Sequence, residues 1–347
     1  MTVALSRSDR DRALGLLAVA RRRLQPHLRL AVSSLTGPSR TVAYYHLGWA
    51  DRDGAPADRR SGKMLRGALA IACAQAAGGR AADAFDAATA VELVHNFSLL
   101  HDDVMDEDTT RRGVPTAWSV FGRAQAVLAG DALLTLAFAV LAKNTREARS
   151  VPLVHELCVA MLGLVEGQGA DLEFERRTGI GTAECLAMSA AKTGALIAAA
   201  CAMGAITAGA PPATVTGLRE FGLQLGVAFQ IADDLIGLRG DPAVSGKPVG
   251  ADVARRKMTL PVVAAIGADH PAAARLEAVY RDHRPLSPEE IHDVTGLIER
   301  LGGGASAQAE MARRSHLAEA ALASLPLDAR IAEDLRAVLR MAVDRDH

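Results

Sequence analysis

From residue 8 to residue 344 the chain returns apolar residues every three or four positions, a period that strands cannot use. Ala, Leu, Glu and Arg carry this pattern, β-branched runs are short and aromatic residues make up only 3%. Such a chain is confined to helices that bury one stripe each. The spacing predicts helices over 8–35, 63–78, 82–105, 117–143, 151–176, 182–209, 213–238, 253–267, 288–301, 306–324 and 328–344. Between them stand turn formers: Gly37-Pro38-Ser39, Gly78-Gly79, Gly302-Gly303-Gly304 and Pro326. Ser287-Pro288-Glu289-Glu290 predicts a capping box with proline at the first helical position. With no strong repeat or linker, residues 1–347 read as one all-α domain with an N-terminal helical segment, 1–40. The longest non-helical stretch, 239–251, is rich in Gly and Pro, and a loop of that kind is often functional.

Half of the residues are hydrophobic, enough for a large core. The net charge of −1 gives no reason to expect nucleic acid or an anionic membrane surface as partner. Cys73, Cys158, Cys185 and Cys201 stand far apart in apolar stretches and read as buried free thiols of a reducing cytoplasm. The N-terminus shows no secretory signal. Gly194 to Ala213 is uncharged and long enough to span a bilayer, but it is mostly Ala and Gly and ends in Pro211-Pro212. It reads as a buried, closely packed helix, so no transmembrane segment is expected.

Two clusters carry the chemistry. The first, His101-Asp102-Asp103-Val104-Met105-Asp106-Glu107-Asp108, closes an apolar helix and runs into Arg111-Arg112-Gly113. Asp102 and Asp106 are four residues apart and share a face. Oxygen-only ligands suit Mg²⁺, which keeps waters and phosphate oxygens as further ligands. Acid at a helix C-terminus opposes the macrodipole, so an idle cluster there is disfavoured. Arginines beside it suit phosphate. The second, Phe229-Gln230-Ile231-Ala232-Asp233-Asp234, repeats the plan: an apolar helix, paired carboxylates, then Lys247, Asp252, Arg255, Arg256 and Lys257. Lys63 and Arg66 share a helix face, and Lys192 is the one charge between Glu184 and Arg219. A lone Lys can also snorkel outward, and His95 taken alone reads as a core histidine. Together the features describe an apolar pocket roofed by carboxylate-bound metal and ringed by cations, suited to a greasy molecule with a diphosphate head.

From about Gly62 onward the chain resembles the trans-isoprenyl diphosphate synthase, or polyprenyl synthetase, family. Glu92 to Asp103 looks like its first aspartate-rich motif with its lead-in. Gly246-Lys247-Pro248-Val249-Gly250-Ala251-Asp252 with Lys257-Met258-Thr259-Leu260-Pro261 looks like the tail of the second. The resemblance implies an orthogonal helical bundle around a central apolar cavity, a homodimer, and a reaction joining isopentenyl diphosphate to dimethylallyl, geranyl or farnesyl diphosphate. It implies three Mg²⁺ ions per site, held by Asp102, Asp106 and Asp233 with Asp103 and Asp234 supporting through water. Lys63, Arg66, His95 and Arg112 would hold isopentenyl diphosphate. Arg111, Lys192, Lys247 and Lys257 would hold the allylic diphosphate, and Thr193 and Gln230 would line the reacting end.

Three departures from the family pattern stand out. Gly237 replaces the third Asp of the second motif, Met64 and Gly67 replace the Arg and Pro of long-chain members, and no insertion separates Asp103 from Asp106. Phe97, five residues before Asp102, and the small Ser98 resemble the floor of enzymes making the twenty-carbon geranylgeranyl diphosphate; a farnesyl (fifteen-carbon) or a longer product, of twenty-five carbons and above, is the alternative. Of other classes, a non-catalytic partner subunit would show decayed aspartate motifs. A di-iron helical bundle would need Glu92/His95 and Glu289/His292 to meet.

Overall fold

The structure is a computed structural model and describes residues 5–59, 62–111, 113–143, 147–240, 250–282 and 284–344. The helices are α1 (Arg7–Ser33), α2 (Gly37–His46), α3 (Leu65–Ala76), α4 (Phe85–Met105), α5 (Ala117–Phe121), α6 (Arg123–Ala142), α7 (Glu147–Phe174) and α8 (Thr182–Ser189). There follow α9 (Ala195–Ala208), α10 (Pro212–Arg239), α11 (Ala251–Ala254), α12 (Leu260–Ile266), α13 (Pro271–Arg281), α14 (Pro288–Arg300), α15 (Gly303–Ala323) and α16 (Ala329–Val343). The fold is all-α. Its one described sheet is a two-residue hairpin, Thr110–Arg111 against Val114–Pro115, which the periodicity gave no hint of.

Two helices were not anticipated, and each carries a proline in its first turn. Pro38 lies in the first turn of α2. Pro271 opens α13, where His270 Nδ1 accepts from the Ala272 amide at 3.1 Å. Proline in a first helical turn lacks only an amide that would have had no partner anyway. The expected 117–143 helix divides at Gly122, whose φ of +87° turns the chain between α5 and α6. The Ser287–Glu290 capping box forms as expected, with both reciprocal bonds present.

The uncharged stretch does form a buried, closely packed helix. α9 lies almost wholly inside, crossed by α3 and α10. A Cβ on Gly204 would stand 2.2 Å from the Ala70 carbonyl oxygen, and one on Gly222 2.7 Å from the Ile197 carbonyl oxygen. Small residues therefore set how near the three helices come. Four helical stretches are long and apolar enough to cross a membrane: Arg123–Ala142, Arg149–Phe174, Thr182–Ala208 and Pro212–Arg239. The last two are 67% and 72% buried within the protein itself. All four cysteines are free; Cys73, Cys185 and Cys201 are buried, whereas Cys158 is half-buried.

Candidate active site

α4 carries an aspartate pair in its last turn, and α10 carries Asp233-Asp234 before running on to Arg239. Asp106 caps α4, its amide donating to the Asp102 carbonyl at 2.8 Å. Asp102 is half-buried; burial raises its pKa, against the opposing fields of Lys192, Arg111 and Lys257. Asp103, the next residue, is 1% exposed. It accepts from Arg111 Nε at 2.7 Å, yet burial outweighs the guanidinium and pushes its carboxyl up to about 6. On α10, Asp234 is buried and accepts from Gln230 Nε2 at 2.9 Å and from the Leu260 amide at 3.2 Å; burial pushes it to about 7. Gln230 Oε1 in turn accepts from Thr193 Oγ1 at 2.7 Å.

Thr193 and Lys192 sit in a π-helical turn, Ala190–Gly194, between α8 and α9. Such single turns are rare and often mark functional positions. Gly167 of α7 makes this one possible: a Cβ there would lie 2.3 Å from the Lys192 amide nitrogen. Lys192 Nζ reaches Asp171 Oδ2 of α7 at 2.5 Å, and Lys257 Nζ reaches Asp106 Oδ2 at 3.3 Å. Arg66 at the start of α3 has its pKa lowered by burial and is drawn back by the fields of Glu92, Asp233 and Asp102. The chain from Lys257 to Leu260 touches both helices, Lys257 Nζ at Asp106 and the Leu260 amide at Asp234, which brings α4 and α10 to one place.

His95 is half-buried on α4, whereas Lys63 is exposed and precedes the first residue of α3, Leu65, so it does not share a helix face with Arg66 as expected. Arg112 and Lys247, with the rest of 241–249, lie outside the described residues. Phe97 is buried and packs its ring against His101, centroids 4.6 Å apart, while His101 Nε2 lies 3.1 Å from the Val127 carbonyl oxygen of α6. Ser98 shares the Asp102 face and donates to the His95 carbonyl at 2.9 Å.

Sequence reasoning missed Asp171, which pairs with Lys192, and Gln168, which is 6% exposed with a buried Oε1 lacking a partner. Both belong to α7, whose run Glu166-Gly167-Gln168-Gly169-Ala170-Asp171 is the only signal. It also missed a compensation at Gly237: a Cβ there would fall 1.9 Å from Asp252 Oδ2, so the Asp252 carboxylate occupies the space a third side chain of the second motif would need.

Among the described residues no three Asp, Glu, His or Cys side chains gather into a ready metal cage. Carboxylates separated in this way fit Mg²⁺, which takes few protein oxygens and completes its shell with water and substrate phosphate. The same observation removes the di-iron reading: Glu92 is buried and accepts from the Gly67 amide at 2.8 Å, whereas Glu289 is exposed.

A profile of the polyprenyl synthetase family matches residues 57–298. A geranylgeranyl diphosphate synthase of Mycobacterium tuberculosis is 45% identical over 336 residues, covering 97% of this chain and 95% of that protein. A (2E,6E)-farnesyl diphosphate synthase of the same organism is 40% identical over 343 residues, 97% of this chain and 95% of that one. The crystal structure of a polyprenyl synthetase from Streptomyces coelicolor superposes with a TM-score of 0.91 at 40% identity, covering 95% of this chain and 99% of that chain. A polyprenyl synthase from Caulobacter crescentus, complexed with calcium and isoprenyl diphosphate, gives 0.84 at 30% identity, covering 97% of this chain and 98% of the other.

Proposed function

The chain belongs to the polyprenyl synthetase family, and from that premise we propose that it is a trans-prenyl transferase that condenses isopentenyl diphosphate with dimethylallyl, geranyl and farnesyl diphosphates. The observation that carries the reading is the convergence of α4 and α10. Each carries an aspartate pair, and the 257–260 segment touches both: Lys257 Nζ lies 3.3 Å from Asp106 Oδ2, and the Leu260 amide lies 3.2 Å from Asp234 Oδ2.

In this reading Asp102, Asp106 and Asp233 hold up to three Mg²⁺, while Asp103 and Asp234 support them from behind. Bound Mg²⁺ would neutralise the charge that grows on the departing diphosphate. Lys192, Lys257, Arg111 and Lys247 grip the allylic diphosphate, and their charge favours its departure as the allylic C–O bond breaks. Asp171 orients Lys192, which stands within hydrogen-bond reach of it. Thr193 and Gln230, joined by a hydrogen bond, line the reacting end. Lys63, Arg66, His95 and Arg112 hold isopentenyl diphosphate. The departing diphosphate takes the final proton, so the chain needs no general base of its own.

The main product of this proposal is the twenty-carbon geranylgeranyl diphosphate. Phe97 forms the floor, its ring backed by His101, and Ser98 leaves the route past Asp102 open. The farnesyl-synthase relative favours fifteen carbons as the second reading. The working unit is a single-domain protein, a cytoplasmic homodimer. The exposed Val151, Val159, Leu162 and Val165 of α7 with Leu128 of α6 offer the apolar face that a second copy would cover. Incubating the purified chain alone with radiolabelled isopentenyl diphosphate and each allylic starter, then sizing the products, tests the whole reading. No condensation with any starter would refute it and favour a non-catalytic partner subunit.

A further inference from the structure

Two short turns meet beside the aspartates, and the roles assigned above do not account for both of their contacts. Asp106-Glu107-Asp108 leaves the end of α4, and Arg255-Arg256-Lys257 connects α11 to α12. Lys257 Nζ lies 3.3 Å from Asp106 Oδ2, and the Arg255 guanidinium hydrogen-bonds Asp108 Oδ1. The middle residue of each turn has a left-handed backbone, φ +53° at Glu107 and +51° at Arg256. That conformation is costly for any residue with a Cβ. It turns the chain sharply enough that the residues on both sides reach the opposing turn.

Both turns are braced from behind. Glu107 pairs with Arg123 of α6 at 2.6 Å, and the Asp108 carbonyl accepts from Trp118 Nε1 at 2.8 Å and Thr116 Oγ1 at 2.7 Å. Arg256 Nε donates to the Val279 carbonyl of α13 at 3.0 Å. Among the described residues the one other left-handed non-glycine is Met64, between Lys63 and Arg66. All three therefore lie in the segments that carry the site, which is where strained backbone is retained when its position is used.

We propose that Arg255 is a positioning residue for prenyl transfer: through Asp108 it fixes the spacing between the Asp102–Asp106 helix end and the Lys257 segment. Carboxylates and Lys257 then meet the diphosphate from two sides without having to reorganise. The inference rests on the function proposed above. The Arg255 side chain is 48% exposed against 19% for Asp108, so water screens the pair from the arginine side, and its contribution to folding is modest.

A double-mutant cycle tests it, using Arg255→Gln, Asp108→Asn and the two together. Binding of inorganic pyrophosphate with Mg²⁺ is measured by calorimetry, beside thermal midpoints and steady-state kinetics. Each single change is expected to weaken pyrophosphate binding by about 10-fold, with a thermal midpoint within a few degrees of wild type. The double variant is expected to be no weaker than the poorer single. The allylic KM should rise while the KM for isopentenyl diphosphate stays put, and Arg255→Lys should restore part of the loss. Losses that multiply in the double variant would mean that Arg255 touches the diphosphate itself and would overturn the proposal. So would unchanged affinity in both singles, or midpoints that fall together with both KM values. The binding cycle needs no turnover, so a wild-type chain that couples Arg255 to Asp108 yet condenses nothing would sink the proposed reaction and leave only the coupling to diphosphate binding standing.

Discussion

Replacing Asp234 with Asn should remove a pH-dependent weakness from the protein. Burial lifts this carboxyl from 3.8 to about 7, with the negative charges of Asp252 and Asp233 adding to the rise, against hydrogen bonds from Gln230 and Leu260. The folded value lies above the unfolded one, so ionising Asp234 costs the native state stability. The cost is absent below the unfolded value, grows between pH 4 and 7, and is complete above that. About three pH units at 1.36 kcal/mol each give a penalty on the order of 4 kcal/mol, of which about 2.5 kcal/mol accumulates between pH 5 and pH 8. Asp234→Asn keeps the shape and an oxygen to accept from the Leu260 amide, but cannot ionise. Urea unfolding in metal-free buffer at pH 5, 6, 7 and 8 should show wild type losing stability relative to the variant across that range. Asp103, at about 6, titrates in both proteins and cancels in the difference. Parallel stability curves, within about 0.5 kcal/mol, would refute the assignment of a buried, costly carboxylate.

Asp102→Ala or Asp106→Ala should lower turnover by at least ~10²-fold with the helical circular dichroism unchanged, because each removes a carboxylate that holds charge opposite the leaving group. A variant retaining more than about a tenth of the wild-type rate at saturating Mg²⁺ would rule out a direct ligand role. Phe97→Ala should shift products to twenty-five carbons or more, and Ser98→Phe should shorten them to fifteen; an unchanged product distribution in Phe97→Ala would place the floor on other residues. Gly167→Ala puts a methyl 2.3 Å from the Lys192 backbone nitrogen, so it should cost about 1–3 kcal/mol in urea unfolding. It should also raise the allylic KM more than that of isopentenyl diphosphate. Wild-type stability in that variant would mean the π-turn yields freely.

How much of this was legible beforehand can be followed at particular residues. The helical period gave the element type, and the Ser287 capping box gave one boundary, because both depend on contacts a few residues apart. Asp102 and Asp106 could be paired from the sequence since four residues is one helical turn. The Pro38 helix start was misread as a turn, and the one at Pro271 was passed over, because proline both ends helices and begins them, and only the following chain decides which. The π-turn at Lys192 leaves no periodic trace either. It exists because Gly167, twenty-five residues earlier in the sequence, lets α7 press against it.

The chain by itself therefore determined the all-α architecture, the two acidic pairs on apolar helices and the cations available to them, since these are set by residue type and short-range spacing. Tertiary structure alone decided that Arg66 stands in the field of both aspartate pairs, that Asp171 orients Lys192, and that Asp108 reaches Arg255 across 147 positions of sequence. It also decided that Asp252 fills the space beside Gly237. Each of these depends on how closely two helices or turns approach. That distance is set by the small residues and the burial at their crossing, and no local pattern encodes it.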